Sequence, residues 1–274
     1  MINSFFKSLI ISILLILINF NAFSQDQFNF DITEVEILEN GNIYNGYKRG
    51  TITVDNGLSV TADRFKYNKT LNILNTYGDV LIYDKLKNLS IFTQKATYLK
   101  NEEKISTEGD SKANDENGIT ITANKLKYDK ILNIFNAYEN VKINNSLKDY
   151  VIYAEETTYL KDEEKIFSKG ITKAIVKSRY IIDSEDVVYL VNDNNLSSKK
   201  NTYIDDQRAN YYYLDKFNFN INNEILKGNN VKVVTNFGLS QSDQMYLTNA
   251  IINLKDRSFT AGNTEIRSDK KMFD

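Results

Sequence analysis

Two pairs of adjacent carboxylates are the residues whose type and spacing most directly suggest chemistry. Glu102-Glu103 and Glu163-Glu164 offer the two acids of a glycosidase or the oxygen ligands of a calcium ion. Each pair lies in a short charged cluster, KNEEK or KDEEK, beside Lys104 or Lys165. Such polar clusters are typical of solvated turns, so we expect neither a catalytic site nor a metal site there.

The composition excludes most other catalytic chemistry. The chain of 274 residues has no histidine, cysteine or tryptophan, which removes nucleophile–histidine catalysis, the usual zinc and copper sites, and disulfide bonds. No nucleotide-binding motif is present, and a net charge of −2 gives no general attraction to nucleic acid. We therefore expect a protein that is not an enzyme and needs no cofactor.

Residues 1–24 are predicted to be a secretory signal peptide. Lys7 is the only charge among them, an apolar run extends from about Leu9 to Ile18, and Ala22-Phe23-Ser24 places small residues before a cleavage position. The apolar run is short for a membrane span, although an uncleaved N-terminal anchor is the alternative. Residues 25–274 are then predicted to be one exported β domain.

The rest of the chain repeats a short pattern at a fixed interval. GLSVTADRFKYNKTLNIL at 57–74 returns as GITITANKLKYDKILNIF at 118–135. Both stretches carry two apolar or small positions, a slip of one residue, and two more, and this spacing recurs about every thirty residues. The eight copies are Phe30/Ile32/Val35/Ile37, Val60/Ala62/Phe65/Tyr67, Ile91/Thr93/Ala96/Tyr98, Ile121/Ala123/Leu126/Tyr128, Ile152/Ala154/Thr157/Tyr159, Ile182/Ser184/Val187/Tyr189, Tyr212/Leu214/Phe217/Phe219 and Met245/Leu247/Ala250/Ile252.

The spacing within each copy predicts strands. Apolar and polar positions alternate, and the slip predicts a β-bulge that returns the second pair to the buried face. A second signature follows each copy, for example Gly78-Asp79-Val80-Leu81-Ile82, so each unit reads as two strands joined by a turn. The absence of proline suits a chain that is nearly all strand. We expect an elongated antiparallel fold of about sixteen strands from eight repeats.

These units resemble the OstA-like repeats of the lipopolysaccharide-transport family, which includes periplasmic LptA and the N-terminal periplasmic domain of LptD. The resemblance lies in ITANKLKYD, VTADRFKYN and the spaced stretches YGDVLIYD and YENVKIN, and it covers nearly all of residues 26–268. It implies an all-β, taco-shaped β-jellyroll whose inner face holds the acyl chains of lipopolysaccharide. It also implies a transport protein that is located in the periplasm, associated with the outer membrane, and passes this lipid to that membrane. An LptD N-terminal region and a long LptA both stay open.

If the alternating apolar positions face inward on two sheets, they line a continuous groove. Such a groove would shield lipid A acyl chains, because each methylene group exposed to water costs about 0.8 kcal/mol. The predicted groove residues are Val60, Phe65, Val80, Ile82, Ile121, Leu126, Val141, Ile143, Ile152 and Phe217. The alternative is that the same residues only pack the core of a closed fold.

The first predicted strand is the candidate for pairing with another protein. FNFDITEVEI at 28–37 alternates cleanly and lies near the predicted mature N-terminus, and an edge strand can accept a further strand by β-augmentation. We expect Phe28, Phe30 and Ile32 to lie on the edge that receives an LptA-like partner. The resemblance also implies an outer-membrane barrel as a partner, either a C-terminal part of the same protein or a separate chain.

Two other classes of protein are compatible with thirty-residue repeats. One is a parallel β-helix, either a carbohydrate-active enzyme or an adhesin, in which each repeat forms one coil. It would show three short strands per repeat and a carboxylate cluster on one stacked face. The other is a periplasmic scaffold that assembles through its edges and holds no lipid, so it would fail to crosslink to lipopolysaccharide.

Overall fold

The computed structural model describes residues 28–54, 57–236 and 242–268. The predicted signal peptide, residues 1–24, lies outside these ranges. Within them the backbone is almost entirely β-strand, interrupted by two short 3-10 helices, Glu39–Gly41 and Lys100–Glu102. No helix in this part of the chain is long and apolar enough to cross a membrane. The prediction of an all-β fold is confirmed.

The strands follow one another along the chain with short turns between them. They are β1 (Phe28–Asp31), β2 (Val35–Leu38), β3 (Ile43–Gly46), β4 (Gly50–Val54), β5 (Leu58–Ala62), β6 (Arg64–Asn68), β7 (Ile73–Asp84), β8 (Leu89–Leu99), β9 (Lys104–Glu108), β10 (Ser111–Asn114), β11 (Ile119–Ala123), β12 (Lys125–Asp129), β13 (Ile134–Asn145), β14 (Tyr150–Leu160), β15 (Lys165–Val176), β16 (Tyr180–Glu185), β17 (Val188–Leu190), β18 (Asn195–Ser198), β19 (Thr202–Asp205), β20 (Tyr211–Leu214), β21 (Lys216–Asn220), β22 (Ile225–Asn229), β23 (Val231–Thr235), β24 (Asp243–Thr248), β25 (Ala250–Asn253), β26 (Ser258–Thr260) and β27 (Asn263–Ser268).

A single antiparallel meander connects these strands, and a bend along its middle folds it into two facing layers, as in an elongated β-jellyroll. Half-sheet I contains β1, β4, β5, β10, β11, β16, β19, β20, β23, β24 and β27. Half-sheet II contains β2, β3, β6, β9, β12, β17, β18, β21, β22, β25 and β26. The longer strands β7, β8, β13, β14 and β15 cross the bend and contribute to both layers.

Bulges with left-handed backbone form the bend. Pairing of β7 with β8 shifts register around Gly78-Asp79, whose φ angles are 75° and 42°, and β13 shifts around Glu139-Asn140, with 64° and 56°. Glycine, asparagine and aspartate tolerate this region best, which explains why the second sequence signature favours them. The pairing of β14 with β15 shifts register between Ala154 and Glu156, at the slip of the repeated pattern, and the extra residue lies on β15. A bulge therefore occurs at the predicted level of the sheet, but on the neighbouring strand.

The number of strand segments differs from the expectation of about sixteen. The described residues form twenty-seven segments, because most long strands are broken for one to three residues at the bend. Asp63, for example, separates β5 from β6, and its N–H donates across the bend to the Gly78 carbonyl at 3.0 Å. Joined across these breaks, the segments make sixteen longer strands.

The strand pairing also rules out one of the alternatives. Every strand pair within residues 28–54, 57–236 and 242–268 is antiparallel, whereas the coils of a β-helix pair in parallel. The β-helix interpretation, and with it the carbohydrate-active enzyme or adhesin, was wrong. Each thirty-residue repeat forms one hairpin of the meander rather than one coil of a β-helix.

The inner faces of the two half-sheets pack against each other. The ring of Phe28 on half-sheet I lies 4.5 Å from the ring of Tyr67 on half-sheet II, measured between centroids, and the rings of Tyr150 and Tyr189 lie 4.6 Å apart. Buried residues from both layers form one continuous hydrophobic core. The layers are therefore in direct contact along much of the length of the fold.

Candidate functional site

Two uninterrupted rows of side chains line the interior, one on each half-sheet. The row on half-sheet I is mainly aliphatic and of moderate size. In pairing order it runs through Phe30, Ile52, Val60, Ile82, Ile91, Ala113, Ile121, Ile143, Ile152, Ala174, Ile182, Ile204, Tyr212, Val233, Met245 and Ile266. We call it the aliphatic row.

The row on half-sheet II carries most of the interior aromatic rings. It runs through Ile37, Tyr44, Tyr67, Leu74, Tyr98, Ile105, Tyr128, Phe135, Tyr159, Ile166, Tyr189, Leu196, Phe219, Leu226, Ile252 and Phe259. Neighbouring rings pack closely, and Tyr128 and Phe135 stack with centroids 4.3 Å apart. We call it the aromatic row.

All ten predicted groove residues lie in this interior. Each is at most 4% exposed and belongs to the single apolar core. Val60, Ile82, Ile121, Ile143 and Ile152 belong to the aliphatic row, and the others lie beside the two rows, nearer the bend. In this structure their contacts are with one another and with the opposite half-sheet. Their role in binding lipid stays a prediction.

The hydroxyls of Tyr67 and Tyr128, in the aromatic row, point away from the bend and toward the turns of half-sheet II. Tyr67 donates a hydrogen bond to Asn72 at 2.9 Å, and Tyr128 donates one to Asn133 at 3.0 Å. Burial raises the pKa of Tyr128, so its hydroxyl stays protonated and able to donate. Each ring therefore lies in the apolar interior with its hydroxyl at the margin, an arrangement that suits tyrosine.

The side of the fold opposite the bend is closed by polar contacts, and we call this line the mouth. Turns 85–88, 115–118, 146–149 and 177–179 of half-sheet I meet turns 100–103, 130–133, 161–164, 191–194 and 221–224 of half-sheet II there. Asn117 donates to Glu164 at 3.1 Å, and the ammonium of Lys161 donates to the carbonyl of Lys87 at 3.0 Å. Lys161 is buried, so the mouth is bridged rather than merely narrow.

Further bridges follow in both directions along the mouth. Lys130 lies 3.4 Å from Asp84, and Lys148 donates to the carbonyl of Val191 at 2.9 Å. Glu224 accepts hydrogen bonds across the mouth from several donors of half-sheet I. These are Lys177 at 2.9 Å, Arg179 at 3.0 Å and Tyr180 at 2.5 Å.

Asp115 is a half-buried carboxyl at the centre of the mouth. Its Oδ1 accepts the backbone N–H groups of Asn117 and Ile119, both at 2.9 Å, and its Oδ2 accepts the hydroxyl of Tyr159 at 3.3 Å. Burial raises the pKa of Asp115 although these bonds and Lys161 oppose the shift. The carboxylate is therefore held in the mouth at a cost in solvation.

The glutamate pairs of KNEEK and KDEEK lie at matching turns of the mouth. Glu102 is exposed and pairs with Lys104 at 3.0 Å, as expected for solvated charge. Lys100 and Lys161, the lysines that begin the two clusters, are buried instead. No group of histidine, cysteine, aspartate or glutamate within the described ranges is arranged to hold a metal ion.

The interior reaches the free edges of the sheet at both ends. β1 pairs on one side with β4 and has no second strand partner among the described residues. Phe28 and Phe30 of β1 pack inward on the aromatic row, and Ile32 lies just beyond the strand, against Gly46. At the other end, Ile266 and Phe259 of the last strands are 62% and 37% exposed. Each row thus ends on an apolar side chain that a further strand could cover.

The fold and its interior define a class of protein, namely an elongated all-β jellyroll that has an apolar interior and, among the described residues, an unpaired strand edge at each end. Residues 43–146 match the family described as "Lipopolysaccharide-assembly, LptC-related". This match confirms the resemblance to the lipopolysaccharide-transport repeats over that part of the chain. None of the curated proteins matches the chain.

Sixteen solved chains match the fold. One of them is LptH from Pseudomonas aeruginosa, described as the LptA homologous periplasmic component of the conserved lipopolysaccharide transport device. The two chains are 12% identical with a TM-score of 0.41, and the match covers 44% of the present chain and 95% of LptH.

Sequence reasoning found the interior but missed the mouth. The bridging groups Lys161, Asp115 and Glu224 lie in turns, where charged residues are common and carry no period. The only signal was the recurrence of a lysine at the start of KNEEK and KDEEK. The bend determines which of those charges are buried against the opposite half-sheet. The sequence of a single repeat does not indicate the geometry of the bend.

Proposed function

We propose that the protein is a periplasmic carrier of lipopolysaccharide, which shelters lipid A acyl chains between its half-sheets and passes them toward the outer membrane. The observation that carries this proposal is the pair of uninterrupted apolar rows from one free edge to the other. The LptC-related match of residues 43–146 supports it independently.

The energetic case rests on the hydrocarbon lining. A twelve-carbon acyl chain exposed to water costs on the order of 10 kcal/mol, at about 0.8 kcal/mol for each methylene. The aliphatic row offers side chains of similar size at every strand, so a chain shifted by one hairpin meets nearly the same surroundings. Sites of nearly equal affinity in series favour movement over trapping.

Binding of an acyl chain in the interior requires the mouth to open, because the half-sheets touch in this structure. The cost of parting includes the apolar contacts across the interior and the bridges of Lys161, Asn117 and Glu224. An entering acyl chain replaces the apolar contacts, and solvent or lipid headgroups replace the polar ones. We infer that the closed structure is the unloaded state.

A crosslink across the mouth tests this proposal. The chain has no cysteine, so Asn117→Cys with Glu164→Cys can be joined by a short bis-maleimide without side reactions. The expected result is loss of lipopolysaccharide binding in the crosslinked protein, measured by copurification or by fluorescence of a labelled lipid. Binding that persists after complete crosslinking would contradict entry through the mouth.

The matched control joins two residues of one half-sheet. Thr158 donates a hydrogen bond to Asn136 on the neighbouring strand of half-sheet II at 2.8 Å. Crosslinking Asn136→Cys to Thr158→Cys holds two strands together but leaves the mouth free. This variant should bind lipopolysaccharide as the uncrosslinked protein does.

A photo-reactive residue separates the carrier from the lipid-free scaffold. Placed at Val141 or at Phe217, both buried in the interior, it should transfer label to lipopolysaccharide. A scaffold would give label on protein only. The same residue at exposed Lys142, on the outer face, is the control and should label no lipid.

The edges supply the proposed partners. An LptA-like protein would add its strands to β1, where Phe28, Phe30 and Ile32 lie, and so extend both rows into its own interior. The outer-membrane barrel that finally receives the lipid is either a further part of this protein or a separate chain. A long LptA and the N-terminal region of LptD fit this arrangement equally.

A further inference from the structure

A second concave surface lies on the outer face of half-sheet II, close to the bend. Its volume is about 680 Å³. One line of residues crosses it on five neighbouring strands. In pairing order these are Val188, Ser197, Asn218, Lys227 and Ile251. We call this surface the outer groove.

The outer groove lies on the other side of the sheet from the interior, although the interior residue Phe217 also contributes to its lining. Gly228 lies in its floor, and a Cβ atom built on this residue would approach Leu214 to 2.2 Å and Val231 to 2.8 Å. Both neighbours are buried in the core, so the inner side of the sheet is filled at this point. Short side chains such as Ser197 and Asn218 leave the outer side hollow.

The rim of the outer groove is strongly basic. Lys199, Lys200, Lys216 and Lys227 line it together with one carboxylate, Asp186. Lys200 lies 3.7 Å from Asp186. Within the described ranges the other three lysines have no carboxylate at ion-pair distance. The rim therefore carries three uncompensated positive charges.

The floor is largely apolar. Val188 and Ile251 contribute exposed hydrocarbon, and the lysine stems add methylene groups around it. Pockets that hold small molecules generally have volumes between about 300 and 1,000 Å³ and combine apolar walls with a few polar groups. The outer groove fits this description, and its charge fits an anion.

We propose that the outer groove binds a single-chain anionic amphiphile, namely one alkyl chain that ends in a phosphate group. The chain lies over Val188 and Ile251, and the phosphate is held by Lys199, Lys216 and Lys227. Several ammonium groups on the rim of one groove favour a group of more than one negative charge. This site is distinct from the interior and does not depend on the function proposed for it.

Decyl phosphate, used below its micelle-forming concentration, is the probe. Isothermal titration should show saturable binding of one molecule to each protein. The double variant that carries Lys216→Glu and Lys227→Glu should bind decyl phosphate at least tenfold more weakly. The single variant Ile251→Asp should bind it more weakly as well. The thermal midpoint of each variant establishes that it is folded.

The matched control reverses two lysines on the outer face of half-sheet I. Lys112 and Lys142 are exposed and lie on either side of β11. Lys112→Glu with Lys142→Glu changes the net charge by the same amount, and it should leave the affinity for decyl phosphate unchanged. Equal weakening in both double variants would overturn the proposal, because net charge alone would then explain it.

Three further probes test the chemical class of the ligand. Inorganic phosphate and decyl maltoside should each bind at least tenfold more weakly than decyl phosphate, since each lacks one half of the ligand. If inorganic phosphate binds as tightly, the groove is a simple anion site and the proposal fails. It also fails if the groove lysines are needed only for binding to anionic vesicles and not for decyl phosphate.

Discussion

The hydroxyl of Tyr180 on half-sheet I donates a 2.5 Å hydrogen bond to Glu224 in a turn of half-sheet II. The ring of Tyr180 lies inside, 5.2 Å from the ring of Phe219. One side chain thus joins the apolar contact between the layers to the polar bridge at the mouth. Closure of the mouth is therefore coupled to packing of the interior.

Removing the Glu224 carboxylate should loosen the mouth. Glu224→Ala leaves Lys177, Arg179 and Tyr180 without their shared acceptor, and loss of hydrogen bonds to a charged group costs about 2–3 kcal/mol. Urea unfolding should show this loss. Relative to the unaltered protein, the variant should show faster hydrogen exchange in the turns of the mouth and little change in the strands at the bend.

Glu139→Ala is the control for this variant. Glu139 pairs with Lys125 at 2.7 Å on the outer surface, where ion pairs contribute little. Its removal should leave the unfolding midpoint nearly unchanged. Equal losses in the two variants would show that the bridge of Glu224 has no special role in closing the fold.

Asp115 should make the protein less stable as the pH rises. Burial raises the pKa of Asp115, so the folded protein binds a proton at this group more tightly than the unfolded chain does. Stability from this group is present at acidic pH and declines as the pH passes the raised pKa. The penalty is complete at neutral pH.

Asp115→Asn should remove that penalty. Asn145 caps the next turn of half-sheet I, where its side-chain oxygen accepts the N–H groups of Leu147 and Lys148 at 2.9 and 3.0 Å. The side-chain oxygen of an asparagine at position 115 can likewise accept the N–H groups of Asn117 and Ile119 without carrying a charge. The thermal midpoints of the two proteins, compared between about pH 4 and 8, should diverge in favour of the variant as the pH rises. Divergence in the opposite direction would contradict the prediction.

Gly228 should not tolerate a methyl group. Gly228→Ala brings a Cβ within 2.2 Å of Leu214 Cδ2, and overpacking of this kind costs about 1–3 kcal/mol. Leu214→Ala should be less damaging in the Gly228→Ala background than alone, because the double variant no longer has the clash with the Leu214 side chain. If the losses of unfolding free energy in the two single variants simply add in the double variant, the cost of Gly228→Ala does not come from its contact with Leu214.

Proline at the N-terminal edge should block the proposed partner. The ring of Phe30 stacks on Tyr44 with centroids 5.5 Å apart, so replacing Phe30 would also remove packing. Asn29 is exposed on the same strand, and Asn29→Pro disturbs the edge at less cost to the core. It should abolish association with an LptA-like protein in sedimentation experiments, with the circular dichroism unchanged.

Glu265→Pro on the C-terminal edge is the matched control, because β27 is the other free end of half-sheet I. It should leave association at the N-terminal edge intact. If Asn29→Pro binds the partner as well as the unaltered protein does, pairing through β1 is wrong.

The sequence by itself determined the strands and their inward positions, and it predicted antiparallel pairing while a parallel β-helix stayed open. These depend on alternation and spacing within one repeat, so Val60 and Ile121 could be assigned to the interior from their neighbours in the chain alone. The bulge could also be predicted, since a slip of one residue must be absorbed to keep Ala154 and Tyr159 on one face.

Only the tertiary structure decided how the layers meet. The angle of the bend places turn 115–118 against turn 161–164, and this contact buries Lys161 and half-buries Asp115 where the pattern of each repeat predicts solvent. The outer groove likewise crosses five strands, and it depends on Gly228 and on the short side chains of Ser197 and Asn218. Contacts of this kind depend on the relative position of whole half-sheets, which local alternation of apolar and polar residues does not encode.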